Sequence, residues 1–417
     1  MQAVKVFKFG GASVCDADSI RNVGRVLQLF APEKLVIVVS AMGKTTNAIE
    51  QMAGKAYAGL PWEAYMQQLA ESHLQTAHEL NLDKQTIERL IANLRSNLVN
   101  YKDLPFDQYY DQTVPFGELL SSALLSAWLQ ANGQPTTLLA AGDLLVTDKT
   151  WREATVDMEA SIMAIQKQVI PALANGHVLT QGFIGKYSSA FYTTLGREGS
   201  DYTGAILAHA LDAEGLWIWK DVQGVLTGDP KEFSDMSLLE ELSYYEAIEM
   251  TYYGATVIHP KTIQPLRMKQ IPLHVRSFLQ PEGKGTVVHM DHVERAYPPV
   301  LVLKKNQALL SITTRDYSFM VEEHLSQLYR IFSEHRVRIN LLQTAALSLS
   351  VCVDFIPEKL KPLREALSVH FKVTENTGLQ LLTVRHYNQE VLDRLLGNRE
   401  PLLTQKSRHT IQMALPD

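Results

Sequence analysis

Short apolar runs separated by polar turns characterise the first two thirds of the chain. They predict β-strands over residues 4–9, 35–39, 136–139, 178–181, 216–219 and 271–275. The run 35–39 is wholly apolar, which is typical of a strand in a sheet whose two faces are both covered.

Apolar residues recur with helical spacing over residues 16–30, 62–102 and 115–132. Strand, turn and helix therefore alternate along this part of the chain. This alternation predicts an α/β sheet, and ligands of such sheets bind beyond the carboxyl ends of the strands.

The pattern changes after the stretches 281–285 and 298–299, which are rich in proline and glycine. Beyond them, the sequence predicts strands over 300–304, 309–313 and 347–353, two helices, and shorter segments from 379 to 415. This β-α-β-β-α-β order is followed by an incomplete second copy, with about one strand after the helix near Leu392. We therefore expect one domain over residues 1–290 and a second region over residues 298–417.

The composition restricts the function classes. A length of 417 residues fits two or three domains, and a net charge of −6 argues against general nucleic-acid binding. Cys15 and Cys352 are the only cysteines, so neither a disulfide framework nor a structural zinc site is expected. Lys5 and Lys8 interrupt the apolar residues of the N-terminus, and no apolar run approaches the length of a membrane span. We expect a cytoplasmic protein without metal-ligand residues or a membrane segment.

A glycine turn within residues 191–205 is the most informative stretch. Aromatic and β-branched residues lead into Gly196 and Gly199, and a helical pattern starts at Ser200 and Asp201. Glycines let a ligand approach the main chain, and a helix N-terminus offers free N–H groups to an anion. The structural alternative is an ordinary capped helix after a loop.

A second turn follows the first predicted strand, where Lys8 stands beside Gly10, Gly11 and Ser13. Phosphate binding requires a positive charge, main-chain N–H groups and close access, and this turn offers all three. A surface lysine before a tight turn is the structural alternative.

Charged side chains at other turns extend this set. Glu118 could pair with a substrate ammonium or merely favour a helix start, and Arg197 could hold a carboxylate or form a structural ion pair. Asp201 and Asp221 could orient an amine, a metal-bound nucleotide or adenine, or could cap turns. Together these groups suit phosphoryl transfer to a zwitterion, because that reaction depends mainly on positioning and charge stabilisation.

Most of these turns belong to longer motifs, at residues 8–14, 40–47, 116–118, 194–201, 221–230 and 254–260. In this order they resemble the motifs of aspartate kinases, over nearly the whole chain, and the tail resembles the paired ACT regulatory domains of that family. The resemblance implies an α/β amino-acid-kinase-like fold, with an open sheet sandwiched by helices. It also implies α+β ACT domains of ferredoxin-like topology. The tail of this sequence departs from that pair, and we expect one full ACT unit and a shortened second one.

The same resemblance implies transfer of the γ-phosphate of ATP, with Mg²⁺, to the side-chain carboxylate of L-aspartate, which gives 4-phospho-L-aspartate. Lys8 would steady the transferring phosphate, and Asp201 would organise Lys8 and the substrate. The residues expected to hold aspartate are Thr46, Glu118, Arg197 and Ser200. The residues expected to hold the nucleotide are Lys8, Gly10, Gly11, Ser13, Lys220, Asp221, Asp229 and Lys231.

Four positions depart from the family pattern. Glu198 stands where glycine is usual and adds a negative charge beside the anion site. Lys220 replaces a common threonine, and Leu226 replaces a common tyrosine. Thr256 stands where many members carry a nucleotide-contacting lysine, and our hypothesis is that Lys220 supplies that charge instead.

The tail also departs from the pattern. Residues 340–346 occupy the segment where lysine-inhibited members carry acidic and hydroxyl residues, but Ala345 and Ala346 offer no side-chain acceptor to an ammonium. Feedback inhibition by lysine or by threonine therefore stays open. A homodimer formed through the ACT strands is expected.

Two other functions stay open at this point. One is a kinase for another acidic amino acid, such as glutamate or acetylglutamate, and the tail argues against it because smaller kinases lack one. The other is an amino-acid sensor whose kinase site has decayed, which the departures just named would favour. The presence of Lys8, Glu118, Arg197 and Asp201 argues against decay.

Overall fold

The computed structural model describes residues 4–188, 191–255, 258–290 and 296–417. Thr256, at which the sequence departs from the family pattern, lies outside these described residues. The chain divides into two compact units. Unit 1 comprises Met1–Val225, Leu238–Ile248 and Val257–His292, and unit 2 comprises Leu226–Ser237, Glu249–Thr256 and Val293–Asp417.

Unit 1 is built on an eight-stranded sheet with the order β3-β4-β2-β1-β7-β9-β10-β8. Its neighbouring strands are parallel, except that β9 and β10 are antiparallel. The strands are β1 (Lys5–Phe9), β2 (Leu35–Val39), β3 (Thr136–Leu139), β4 (His177–Gln181), β7 (Gly215–Lys220), β8 (Glu241–Ser243), β9 (Leu273–Ser277) and β10 (Thr286–His289). A separate antiparallel pair consists of β5 (Ile184–Tyr187) and β6 (Phe191–Thr194). The six strands predicted for this region are confirmed, with ends shifted by at most two residues.

The helices that begin in unit 1 follow the predicted alternation with the strands. They are α1 (Ala17–Gln28), α2 (Thr45–Tyr57), α3 (Glu63–Glu79), α4 (Gln85–Asn100), α5 (Phe106–Thr113), α6 (Phe116–Ala131), α7 (Ala141–Leu144), α8 (Met158–Leu173), α9 (Gly199–Ala210), α10 (Tyr244–Tyr253) and α11 (Pro260–Met268). The stretch 62–102, predicted as helical, consists of α3 and α4. Asn81, just after α3, adopts a left-handed conformation that interrupts the helical backbone (φ 55°).

The sheet and several of these helices enclose a hydrophobic core in unit 1, which includes Phe7, Ile37, Leu120 and Trp219. Strand β1 is paired with β2 and β7 in parallel register, so that Phe9 lies opposite Val39 on one side and Trp219 on the other. The turns that follow these three strands therefore meet at one edge of the sheet, which is the edge where α/β sheets bind ligands.

Unit 2 contains a six-stranded antiparallel sheet with the order β12-β13-β11-β14-β16-β15. The strands are β11 (Val300–Thr314), β12 (Ile339–Thr344), β13 (Ser348–Asp354), β14 (Phe371–Arg385), β15 (Leu403–Lys406) and β16 (Thr410–Pro416). The helices are α12 (Glu322–Glu334), α13 (Pro357–Ser368) and α14 (Gln389–Leu396). Strands β11 and β14 are long enough to contribute to two separate hydrophobic clusters, one beneath α12 and α13 and the other beneath α14.

Two details of the predicted tail are wrong. The segments 300–304 and 309–313 form one continuous strand, β11, because backbone pairing persists through the irregular register around Gln307 although the side-chain pattern turns polar there. Two strands, rather than about one, follow α14. Strand β15 escapes detection because most of its side chains are exposed and polar.

Within the described residues, no helix combines the length and the apolar character that crossing a bilayer requires.

Candidate active site

A cleft of about 730 Å³ lies in unit 1. Its walls come from the turns after β1 and β2, from α2 and α6, and from the turn between β6 and α9. Seven of the predicted site residues line it, namely Lys8, Gly11, Thr46, Glu118, Arg197, Ser200 and Asp201. The structure thus brings together side chains that are distant in the sequence.

Lys8 and Asp201 form a buried ion pair at the base of this cleft. The Lys8 Nζ atom lies 2.5 Å from Asp201 Oδ1, and the Asp201 side chain is only 1% exposed. Lys8 meets Asp201 because its strand packs against α9. Lys220 Nζ lies 3.7 Å from the other Asp201 oxygen. Burial alone would raise the pKa of Asp201, but the charges of Lys8 and Lys220 outweigh it and hold that pKa well below its ordinary value.

The turn that carries Asp201 is tightly packed. A side chain at Gly182 would place its Cβ 2.5 Å from that of Ser200, so the close approach of the two segments requires glycine. Glu198, just before α9, adopts the left-handed conformation with φ 57°. This is the backbone region that favours glycine, so the departure at Glu198 has a conformational cost of roughly 1 kcal/mol. Burial, followed by the charge of Asp201, raises the pKa of the Glu198 carboxyl.

Glu118 projects from the first turn of α6 and is 3% exposed. Its Oε1 accepts a hydrogen bond of 3.1 Å from the Ala41 N–H, while its Oε2 has no hydrogen-bond partner among the described residues. Burial raises the pKa of Glu118 to about 8, and the Ala41 N–H opposes that rise only in part. A ligand ammonium would satisfy the second oxygen and favour the ionised form.

Arg197 lies exposed on the wall of the cleft, and Thr46 is half-buried in the first turn of α2. Within the described part of the chain, no carboxylate lies within 4 Å of the Arg197 guanidinium. Its planar fork can therefore bind a carboxylate supplied by a ligand.

Two predicted phosphate-binding residues lie beside the cleft. Gly10 faces Lys8, since a Cβ at Gly10 would be 3.7 Å from Lys8 Nζ. Ser13 is buried, and its hydroxyl donates a hydrogen bond of 3.4 Å to the Trp219 carbonyl. Ser13 therefore joins the turn after β1 to the end of β7 and is absent from the cleft wall.

The predicted nucleotide residues are divided between the two units. Lys220 and Asp221 lie at the end of β7 in unit 1, where Asp221 is exposed and does not line the cleft. Asp229 and Lys231 belong to a segment of unit 2. There the Asp229 carboxylate accepts a hydrogen bond of 2.9 Å from the Lys231 N–H, which stabilises a local turn.

Five charged or aromatic residues of the cleft wall were not predicted from the sequence, namely Glu50, Tyr110, Arg152, Glu153 and Phe183. The Arg152 guanidinium stacks on Tyr110 at 4.3 Å, and its nitrogens lie 3.2 Å from Glu50 and 3.4 Å from Asp107. No motif marks these residues, because they lie on four separate helices or loops, with only Arg152 and Glu153 adjacent in the sequence, and only the fold makes these segments neighbours.

Residues 3–277 match the family model described as the amino acid kinase family. The chain is 33% identical over 371 residues to aspartokinase 2, chloroplastic, of Arabidopsis thaliana, an alignment that covers 85% of this chain and 66% of the relative. It is 31% identical over 359 residues to lysine-sensitive aspartokinase 3 of Escherichia coli strain K12, with 85% of this chain and 79% of the relative covered. The chain belongs to the aspartokinases of the amino acid kinase family. It spans about two thirds of the length of the chloroplast relative.

Solved structures agree with this family. Escherichia coli aspartokinase III in complex with lysine and aspartate (T-state) superposes with a TM-score of 0.84 at 27% identity, covering 99% of this chain and 96% of the other. The same enzyme in complex with aspartate and ADP (R-state) gives a TM-score of 0.82 with the same identity and coverage. These likenesses confirm the predicted fold class, an α/β kinase-like region followed by a β-rich α+β region consistent with ACT domains.

Proposed function

We propose that this aspartokinase-family protein transfers the γ-phosphate of ATP to the side-chain carboxylate of L-aspartate and gives 4-phospho-L-aspartate, the first step of lysine, threonine and methionine biosynthesis. The observation that carries the proposal is the convergence of Lys8, Glu118, Arg197 and Asp201 on one cleft. The complex of Escherichia coli aspartokinase III with aspartate and ADP supports the same pair of ligands for this chain.

The chemistry requires no general base. The nucleophile is a carboxylate oxygen that is already ionised, so it attacks the γ-phosphorus without losing a proton. The bond between that phosphorus and the bridging oxygen of ADP breaks, and its electron pair leaves with ADP. The chain must therefore hold two anions together, and catalysis depends on cationic groups and on alignment.

Lys8 supplies positive charge to the transferring phosphoryl group. Asp201 is held ionised by the lysines around it, and this orients the Lys8 ammonium toward the reaction centre. Asp201 lies in the first turn of α9. The free backbone N–H groups of this turn would also attract the transferring phosphate.

The charged groups of aspartate are complementary to the polar side chains on the other walls of the cleft. The ammonium of aspartate would satisfy the unpaired Oε2 of Glu118, and a carboxylate would take the fork of Arg197. Thr46 and Ser200 would supply further polar contacts.

Residues near the end of β1 and β7 would hold the nucleotide. Gly10, Gly11 and Ser13 form the turn beside Lys8, and Lys220 adds a second ammonium near Asp201. We assign a further nucleotide contact to Asp221, which follows β7. Within the described residues, no group of three or more His, Cys, Asp or Glu side chains could hold a metal ion. We propose that Mg²⁺ enters with ATP and is held mainly by its phosphates.

We propose that residues 1–290 form the catalytic region. The region 298–417 would be the ACT regulatory region. The chain would form a homodimer through ACT strands, which light scattering tests directly. An amino-acid effector such as lysine or threonine would bind the same region.

The decisive experiment incubates the purified chain with MgATP and a panel of acids, and traps acyl phosphate with hydroxylamine. We expect hydroxamate and ADP with L-aspartate, and neither with glutamate or acetylglutamate. Turnover with another acid alone would assign a different substrate. Binding of aspartate without ADP formation would identify a sensor instead.

A further inference from the structure

Helix α5 carries a buried carboxylate that the proposed chemistry does not use. Asp111 is 0% exposed. Its Oδ2 accepts hydrogen bonds of 3.0 Å from the N–H groups of Arg152 and Thr194, and its Oδ1 accepts one of 2.8 Å from the Thr194 hydroxyl. Burying a carboxylate is costly, and here three directed donors from two separate segments offset that cost, so the carboxylate ties the two segments together.

The donors lie on two segments that both line the cleft. Thr194 is the last residue of β6, and the turn that carries Arg197 follows it. Arg152 precedes Glu153, whose side chain packs over Gly196, since a Cβ there would lie 3.0 Å from Glu153 Cγ. One carboxylate thus joins the Arg197 turn to the neighbouring wall.

We propose that Asp111 is a positioning residue, which holds the Arg197 turn and the Arg152–Glu153 loop in the arrangement that binds the substrate carboxylate. The inference rests on the proposed function, because it assigns the substrate carboxylate to Arg197. Asp111 itself does not line the cleft, so it acts only through the two segments it joins.

The next residue provides a matched control. Gln112 is also buried, and its amide donates a hydrogen bond of 2.9 Å to the Tyr192 carbonyl and accepts one of 3.1 Å from the Tyr192 N–H. Gln112 therefore anchors the same strand with similar bonds, but two residues farther from the Arg197 turn. Its loss should disturb the strand without releasing the turn.

Asparagine at position 111 should preserve the arrangement. Its carbonyl oxygen can accept from both N–H groups, and its NH₂ group can donate to the Thr194 hydroxyl, which rotates to accept. Alanine removes all three acceptor contacts. The two variants therefore separate geometry from charge.

The test compares steady-state kinetics of Asp111→Ala, Asp111→Asn and Gln112→Ala. We expect Asp111→Ala to raise the KM for aspartate about tenfold or more, with a change of less than about threefold in the KM for ATP. Asp111→Asn and Gln112→Ala should keep the wild-type KM for aspartate within about threefold. An equal rise in Gln112→Ala, or no rescue by asparagine, would overturn the inference. If Asp111→Ala does not fold, Thr194→Val removes the hydroxyl contact alone, and an unchanged KM for aspartate in that variant would count against the role.

A readout without substrate separates this inference from the proposed function. Amide hydrogen exchange of residues 194–200 and 150–155 should be faster in Asp111→Ala than in Gln112→Ala. If the wild-type chain fails to phosphorylate aspartate, the proposed function fails, and hydrogen exchange still tests whether Asp111 holds the two segments. Exchange unchanged by Asp111→Ala would overturn the inference by itself.

Discussion

Replacing Lys8 with alanine is expected to lower kcat for aspartate phosphorylation by at least about 10²-fold, by analogy with the loss of one charge-stabilising donor. Lys8 is the ammonium paired with Asp201 at 2.5 Å, at the base of the cleft. Its removal leaves the developing phosphoryl charge without its nearest cation. It also leaves Asp201 as a buried carboxylate beside the more distant ammonium of Lys220, so its negative charge would oppose the incoming phosphates.

One control variant and one further variant accompany this measurement. Lys5 lies on the same strand, but it pairs with Glu33 and Glu214, so Lys5→Ala should keep kcat close to the wild-type value. Lys220→Ala should raise the KM for ATP, because Lys220 is the second ammonium beside Asp201. Circular dichroism and thermal unfolding establish that each variant is folded. A loss of only a few-fold in Lys8→Ala would remove Lys8 from the proposed role, and an unchanged KM for ATP in Lys220→Ala would count against that of Lys220.

The KM for aspartate is expected to fall as the pH rises toward about 8, by more than about tenfold from pH 6, and to lose this dependence in Glu118→Gln. The physical reason is the buried Glu118 carboxyl, whose pKa is raised to about 8 by burial. Only its ionised form attracts the substrate ammonium. Below pH 8 the free enzyme is increasingly protonated at this position, so part of the binding free energy is used to release that proton.

The raised pKa of Glu118 affects the stability of the fold in the opposite direction to substrate binding. Because the folded pKa of Glu118 lies above its ordinary value of 4.5, the folded chain binds this proton more tightly than the unfolded chain. The contribution of Glu118 to the free energy of unfolding is fully present below about pH 4.5 and is lost as the pH rises through about 8. Higher pH thus weakens the fold locally while it strengthens substrate binding.

Glu118→Gln keeps the shape of the side chain and removes its titration. Its KM for aspartate should be high and nearly independent of pH between about 6 and 8. Glu50→Gln is a suitable control, since Glu50 lines the same cleft but pairs with Arg152, and it should keep the wild-type pH dependence. A Glu118→Gln enzyme with the wild-type pH profile would exclude Glu118 as the group that binds the ammonium.

The order of elements in unit 1 could be predicted from the sequence because its signals are local. A run such as Leu35–Val39 is buried on both sides, and its composition shows this without any partner strand. Prediction failed where the local pattern and the backbone disagree. Strand β11 carries polar residues in its middle, and β15 is almost entirely exposed, so neither looks like a strand along its full length.

Seven residues that line the cleft could be named from the sequence, since each lies near the end of a strand, in a turn or near the start of a helix. Lys8 stands before two glycines, and Arg197 and Asp201 surround a glycine turn. Arg152 and Asp111 were not predictable in this way. Arg152 acquires its place from Tyr110 and Glu50, and Asp111 acquires its place from Thr194.

The sequence alone determined the α/β alternation, the positions of the turns and the types of charge available at each turn, because these depend on residues close together along the chain. Only the tertiary structure decided which charges meet. The pairing of Lys8 with Asp201, the raised pKa of Glu118 and the anchoring of the Arg197 turn by Asp111 all depend on burial and on distances through space. Such electrostatic effects arise when folding removes water from charged groups and brings together groups that are far apart in the unfolded chain.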